Sequence, residues 1–202
     1  IKTDYLWKEI LTKGELSNIL ENYAQVVCEE DEETKKKTYK QIFPRYHQLQ
    51  VVKSLLAEAA HQGVGQRYLI QHSAGSGKSN SIAWLAHQLV TLRNADGDVF
   101  DTVIVVTDRI NLDKQIKNTI RQFMQVSSTV GWAKDSSELK KLLDEGKKII
   151  ITIVHKFQFI LDDITNVYKN SNFAIIIDEA HSSQNGSLSA KMNIVLSGNV
   201  YN

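Results

Sequence analysis

Five consecutive residues have the types and the order that bind a phosphate group: Gly75-Ser76-Gly77-Lys78-Ser79. Glycines allow successive backbone N–H groups to converge on an anion, at the positive end of the helix that the following residues predict. The Lys78 ammonium is expected to reach the β- and γ-phosphates of a nucleotide, and the Ser79 hydroxyl to complete a Mg²⁺ shell. Together with Ala74, these residues form a predicted nucleotide-binding loop.

The residues around this loop support that prediction. Tyr68 to Gln71 is an apolar stretch typical of a strand, and an amphipathic pattern begins at Lys78. Strand, loop and helix therefore follow one another in the order that a phosphate-binding loop requires. His72 departs from the general pattern, which begins with Gly at that position. The alternative, a Gly/Ser turn that precedes Lys-Ser by chance, does not account for this setting.

A second group of reactive side chains follows another predicted strand. Phe173 to Ile177 is an apolar run that ends in Asp178-Glu179-Ala180-His181. The end of a parallel strand opens into the crevice where α/β sheets bind ligands. We expect Asp178 to hold Mg²⁺, mostly through water, and Glu179 to orient or deprotonate the attacking water. An exposed turn is the alternative for this segment alone, but its place downstream of the phosphate loop favours catalysis.

The elements that must position these residues follow from the hydrophobic pattern after Tyr46. Apolar runs rich in β-branched residues alternate with amphipathic segments, which predicts an α/β fold with a mainly parallel sheet. The predicted strands are Tyr68 to Ile70, Thr102 to Val106, Ile149 to Val154 and Ala174 to Ile177, and the predicted helices are Gln48 to His61, Lys78 to Leu92, Asn111 to Met124 and Ser137 to Leu143.

The first 42 residues predict a separate helical segment. Apolar residues recur there at the spacing of a half-buried helix, at Leu16, Ile19, Leu20, Tyr23 and Val27. A charged run and then Pro44 follow, so we place a domain boundary between residues 42 and 43. Because the first residue is Ile1 rather than Met, we expect the chain to be a piece of a longer protein.

The composition is that of an ordinary folded domain. The 202 residues include 24 Lys+Arg, 23 Asp+Glu and one cysteine, for a net charge of +1. A single cysteine excludes a disulfide framework and a cysteine-rich zinc site, and it favours a reducing compartment. No apolar run approaches the ~18 residues of a membrane span, so no membrane partner is expected. The balanced charge still allows nucleic-acid binding, because a few donors on one face suffice to grip a backbone.

The two motifs together resemble those of a known family. The acidic tetrapeptide at 178–181, downstream of the phosphate loop, resembles motif II of superfamily 2 helicases and translocases. More narrowly, FPRYHQL at 43–49 and YLIQHSAGSGKSNSI at 68–82 resemble the motor (R) subunit of type I restriction enzymes, and this resemblance accounts for His72. It implies that residues 43–202 are the first RecA-like motor lobe, a three-layer α/β/α domain truncated at its C-terminus. Residues 1–42 would be a helical linker to an upstream nuclease domain.

The resemblance also implies a function. The chain is expected to be the ATP- and Mg²⁺-dependent lobe of a translocase that pulls double-stranded DNA before a nuclease outside this chain cuts it. Its partners would be the methyltransferase and specificity subunits of the restriction complex, in the cytoplasm of a prokaryote. The alternatives are another superfamily 2 DNA translocase, of the repair or remodelling kind, and a non-motor P-loop ATPase module.

Two residues upstream of the loop match the family's adenine site. Gln48 corresponds to the Q-motif, whose amide pairs with adenine N6 and N7. Arg45 is expected to stack on or flank the base. The alternative is that Gln48 caps the start of the helix that begins there.

The remaining matches concern DNA and coupling. Thr107 and Arg109 correspond to motif Ia, which touches the nucleic-acid backbone, and Lys156 is a further candidate backbone contact. The alternatives are a helix-capping Thr and ordinary exposed basic side chains. His181 is expected to couple the nucleotide state to a second motor lobe or to DNA.

Overall fold

The structure is a computed structural model that describes residues 3–30, 34–73, 75–107, 118–120, 122, 129–133, 135–157, 168 and 170–178, without the side chains of 29, 30, 155 and 156. Its helical elements are a short π-helical segment at Leu6–Ile10, α1 (Lys13–Asn22), α2 (Tyr46–Gln62), α3 (Lys78–Val90), α4 (Ser136–Asp144) and α5 (Val154–Phe157). Its strands are β1 (Gln25–Glu30), β2 (Lys37–Ile42), β3 (Arg93–Asn94), β4 (Gly97–Asp98), β5 (Thr102–Thr107), β6 (Val130–Trp132), β7 (Ile149–Ile153) and β8 (Phe173–Ile177).

The central sheet has four parallel strands in the order β6-β7-β5-β8. Val105 in β5 is in register with Ile151 of β7 on one side and with Ile176 of β8 on the other. Every residue of β5 is buried, as are the first four of β7. Strands covered on both faces need apolar residues at every position, which is why these runs do not alternate. The predicted α/β fold with a parallel sheet is confirmed.

Helices cover both faces of this sheet, and alternate side chains of the strands divide between them. Val103 and Val105 of β5 pack in one cluster with α2 and α3, while Ile104 and Val106 pack in another with α4 and α5. Burying each such side chain contributes about 1.5–3 kcal/mol. The result is the three-layer α/β/α arrangement that positions α3 and the loop before it against the sheet.

The predicted helical segment at residues 1–42 is wrong in its second half. Residues 25–30 and 37–42 form the antiparallel strands β1 and β2, in which Cys28 is in register with Tyr39. The side chain of Val26 is 60% exposed, whereas its neighbour Val27 is only 4% exposed. That alternation has the period of a half-buried strand, and two adjacent β-branched residues favour a strand over a helix.

The N-terminal residues also share the core of the α/β domain. Tyr23 is fully buried, and its ring lies 5.8 Å from that of Trp84 in α3. Ile19 and Val27 join the same cluster, so the packing continues across the boundary placed at residue 42. The suggestion that residues 1–42 lead from a nuclease domain stays a prediction.

The strand predicted from Tyr68 to Gln71 is absent from the sheets formed by the described residues. The segment is exposed along its length, and the Leu69 side chain is 89% exposed. A strand needs a neighbour that pairs with its backbone groups, and no described strand pairs with this one. Of the helix predicted from Asn111 to Met124, only residues 118–120 and 122 are described, and they are helical. No helix in the described part of the chain has the length and apolarity to cross a bilayer.

Candidate nucleotide-binding site

The predicted phosphate loop opens directly into α3. Gly77 is the residue before the helix and has a φ of 83°, and Gly75 has a φ of 72°. This left-handed conformation is readily adopted by glycine alone, which explains the two glycines in the loop. Lys78 is the first residue of α3, so the loop residues lie at the positive end of a helix of 13 residues.

The Gln48 amide makes three hydrogen bonds next to this loop. Its Oε1 accepts from the Arg45 backbone N–H at 2.8 Å, which caps the start of α2. Its Nε2 donates to the carbonyl oxygens of Ser76 at 3.2 Å and Gly77 at 3.0 Å, and the residue is 3% exposed. The helix-capping alternative is therefore confirmed. Both amide N–H groups are engaged with the loop, and the predicted pairing of Gln48 with adenine stays a prediction.

Gly77 has a second reason to be glycine. A Cβ atom at this position would lie 2.5 Å from the Gln48 Nε2, which is closer than real contacts allow. The close approach of the amide to the loop therefore depends on the missing side chain. The loop and the first turn of α2, which contains Gln48, therefore pack against each other.

Two histidines lie beside the loop. The His47 Nε2 is 3.2 Å from the Ser76 carbonyl oxygen, and the His47 and His72 rings meet edge to face with centroids 5.9 Å apart. Burial lowers the pKa of His72 below its ordinary value, and the nearby His47 and Lys78 lower it further. These surroundings therefore favour the neutral form of His72.

Asp178 lies immediately after β8, at the carboxyl edge of the central sheet. Its backbone N–H donates to the Val106 carbonyl at 2.9 Å, which continues the pairing of β8 with β5, and the residue is 7% exposed. A compact hairpin of β3 and β4 joins the end of α3 to β5, against which α3 packs. Because α3 packs against β5 and β8, the helix that begins at the phosphate loop lies against the same sheet as Asp178.

The side chains present suit a nucleotide phosphate with Mg²⁺. The Ser76 hydroxyl is buried and makes no hydrogen bond with the described residues. An orphaned hydroxyl in a glycine loop, followed by Lys78 at a helix start, provides donors for a polyanion. The Ser79 hydroxyl and the buried Asp178 carboxylate are oxygen ligands of the kind that Mg²⁺ prefers.

The structure describes the surroundings of one predicted DNA contact. Thr107 is fully buried at the end of β5, and its hydroxyl donates to the Thr152 carbonyl at 3.5 Å. The predicted contact of Thr107 with a DNA phosphate stays a prediction. Five other predicted site residues lie outside the described residues, the last by its side chain only: Ala74, Arg109, Glu179, His181 and Lys156.

Sequence reasoning missed His47 and the bonds that Gln48 makes to the loop. The two residues are adjacent at the start of α2, but they meet Ser76 and Gly77 only because α2 packs against α3. The one available signal was that a pair of polar residues, His47-Gln48, stands at a predicted helix start ahead of a phosphate loop. Arg45 is exposed at the N-cap of α2, and its predicted contact with a base stays a prediction.

Comparison with known proteins identifies relatives of this chain. The sequence profile of the SWI2/SNF2 ATPase family matches residues 47–201. The chain is 32% identical over 126 residues to the C-terminal part of the type I restriction enzyme MpnIIP endonuclease subunit of Mycoplasma pneumoniae, covering 59% of this chain and 58% of that protein. It is 30% identical over 162 residues to the type I restriction enzyme HindI endonuclease subunit of Haemophilus influenzae, covering 74% of this chain but only 15% of that protein.

A solved structure shares the fold. The UvsW helicase from bacteriophage T4 superposes with a TM-score of 0.59 over 94% of this chain and 58% of its own, at 14% sequence identity. At that identity the likeness concerns the fold alone, and it agrees with the three-layer arrangement.

Proposed function

The chain belongs to the SWI2/SNF2 ATPase family, and from this premise we propose that it is the nucleotide-binding lobe of an ATP-driven translocase of double-stranded DNA. The observation that carries the proposal is that the phosphate loop and Asp178 both belong to elements of the same sheet domain. The phosphate loop opens α3 at residues 75–79, and Asp178 lies beyond β8, against which α3 packs. A phosphate cradle and a buried carboxylate on one domain suit hydrolysis of a nucleoside triphosphate.

Each residue has a role in that reaction. The loop N–H groups bind the β-phosphate, Lys78 reaches the β- and γ-phosphates, and Ser79 and Asp178 hold the metal ion. When bound, Mg²⁺ neutralises the charge that builds up on the phosphate oxygens. Glu179 orients or deprotonates the attacking water, so that ATP is hydrolysed rather than used to phosphorylate a substrate.

We further propose that the whole protein is the motor subunit of a type I restriction enzyme. Support comes from the curated relatives, which include a Staphylococcus saprophyticus endonuclease subunit that is 28% identical over 148 residues. The full protein would act with methyltransferase and specificity subunits in a prokaryotic cytoplasm, and a nuclease domain outside this chain would cut the DNA. Arg109 and Lys156 are the proposed contacts to the DNA backbone, and His181 is the proposed coupling residue.

Displacement of a third strand from a triplex on linear duplex DNA tests translocation. The full-length protein, assembled with its methyltransferase and specificity subunits on unmethylated DNA, should displace the third strand only when ATP is present. Hydrolysis of ATP without displacement of the third strand would contradict the translocase proposal and would support the alternative, a non-motor ATPase. Displacement that needs neither partner subunit would favour another superfamily 2 translocase.

A further inference from the structure

We propose that His47 is a positioning residue of the nucleotide site: together with Gln48, it fixes the peptide group between Ser76 and Gly77 so that its N–H faces the phosphate. The inference rests on the nucleotide site proposed above and adds a residue to it. His47 itself is not expected to touch the nucleotide.

The Ser76 carbonyl oxygen receives two donors from the first turn of α2. The His47 Nε2 lies 3.2 Å from it, and the Gln48 Nε2 also lies 3.2 Å from it. A carbonyl oxygen has two lone pairs, so these two bonds saturate it. Since the oxygen can only accept, the His47 ring carries its proton on Nε2 in this contact.

Fixing the carbonyl also fixes the N–H of the same peptide group. The peptide unit is planar and trans, so the Ser76 C=O and the Gly77 N–H point in opposite directions. With the carbonyl turned toward α2, the Gly77 N–H is turned away from α2, to the side where we propose that the phosphate binds. Gly77 has a φ of 83° and no side chain, so nothing within the residue itself would hold this orientation.

Gln48 fixes the next peptide group in the same way. Its Nε2 lies 3.0 Å from the Gly77 carbonyl oxygen, which also accepts from the Asn80 N–H at 3.1 Å in the first turn of α3. The Gly77 carbonyl is therefore held by the helix as well as by Gln48. The Ser76 carbonyl lies before the helix and has no helical partner, so it depends on His47 and Gln48.

His72 meets the His47 ring edge to face, with the ring centroids 5.9 Å apart. The role of His47 requires an N–H at the Nε2 position.

Three substitutions separate a donor role from a packing role. His47→Phe keeps an aromatic ring beside His72 but removes the donor. His47→Gln places an amide N–H at a similar reach, and His47→Asn has an amide that is too short. His61→Phe, at the exposed end of the same helix, is the matched control.

The test is equilibrium binding of a fluorescent ATP analogue to the full-length protein, with steady-state ATP hydrolysis measured in parallel. Loss of one hydrogen bond should weaken binding about fivefold in His47→Phe, with His47→Gln within about twofold of the original protein. KM should rise with kcat little changed, because the loop is needed equally in the bound and transition states. Thermal unfolding of each variant identifies any that fails to fold.

The outcomes are distinct. Undiminished affinity in folded His47→Phe overturns the inference, as does an affinity in His47→Gln that is as weak as in His47→Phe. If His47→Phe does not fold, the comparison of His47→Gln with His47→Asn decides whether the inference holds. Equal affinities of these two variants for the ATP analogue would overturn it. A protein that binds no ATP before any substitution overturns the proposed function and this inference with it.

Discussion

The Trp84 indole in α3 donates a hydrogen bond of 2.9 Å to the backbone carbonyl of Tyr23, which follows α1. Both residues are almost completely buried, and they are 61 positions apart in the chain. This contact joins the N-terminal segment to the helix that carries the phosphate loop. The N-terminal segment therefore packs into the same core as the helix that begins at the phosphate loop.

Replacement of Trp84 by Phe tests this contact between the N-terminal segment and α3. The variant leaves the buried Tyr23 carbonyl without its donor and removes part of the packed ring, so the free energy of unfolding should fall by about 2 kcal/mol. Urea denaturation of the protein measures it. Trp7, which is 66% exposed, is the matched control, and Trp7→Phe should change stability by less than about 0.5 kcal/mol. Equal effects of the two substitutions would show that the N-terminal segment does not share the core.

Replacement of Gly77 by Ala tests the contact between the loop and Gln48. The new methyl group would displace the amide that lies 2.5 Å from the ideal Cβ position. Loss of the amide's bonds to the two loop carbonyls should weaken ATP binding about tenfold or more. Binding of a fluorescent ATP analogue is the measurement.

Gly146 provides the matched control for this substitution. Its φ is 68°, but a Cβ there would meet no atom within 4 Å. Gly146→Ala should therefore cost roughly 1–2 kcal/mol of stability through left-handed strain, while ATP affinity stays unchanged. If both variants bind ATP with the same reduced affinity, strain alone is responsible and the contact with Gln48 is irrelevant.

The central sheet was predictable because its strands carry their signal locally. Ile149 to Val154 and Thr102 to Val106 are apolar and β-branched at nearly every position, which identifies strands covered on both faces. The observed strands, Ile149–Ile153 and Thr102–Thr107, differ from them by one residue at an end. The loop before α3 could also be predicted from the local sequence, since its phosphate-binding residues are five consecutive positions.

Features that depend on packing could not be predicted in this way. The bond from Gln48 to Gly77 spans 29 positions, and it exists only because α2 lies beside α3. Burial of Thr107 likewise depends on neighbouring strands, although the residue type suits a phosphate donor. Tyr68 to Gln71 has strand-forming residues, but a strand also needs a partner, which the local sequence does not reveal.

Replacement of Asp178 by Asn tests the metal site. The amide is a poorer Mg²⁺ ligand than the carboxylate, so the rate of Mg²⁺-dependent ATP hydrolysis should fall about 100-fold or more. Binding of ATP in the absence of Mg²⁺ should change little, because the loop is intact. A Mg²⁺ titration of hydrolysis measures the effect. Asp96, exposed in the turn between β3 and β4, is the control; equal rates for Asp96→Asn and Asp178→Asn would remove Asp178 from the site.

The central claim is tested most directly by the rate of ATP hydrolysis, with and without unmethylated linear duplex DNA, of the full-length protein assembled with its methyltransferase and specificity subunits. A DNA motor should hydrolyse ATP about tenfold or more faster with DNA, since each 1.4 kcal/mol of added transition-state stabilisation gives a factor of ten. Lys78→Ala should abolish both rates with the fold intact, and Lys141→Ala, on exposed α4 surface, should leave them unchanged. Equal rates with and without DNA, or full activity of Lys78→Ala, would contradict the account.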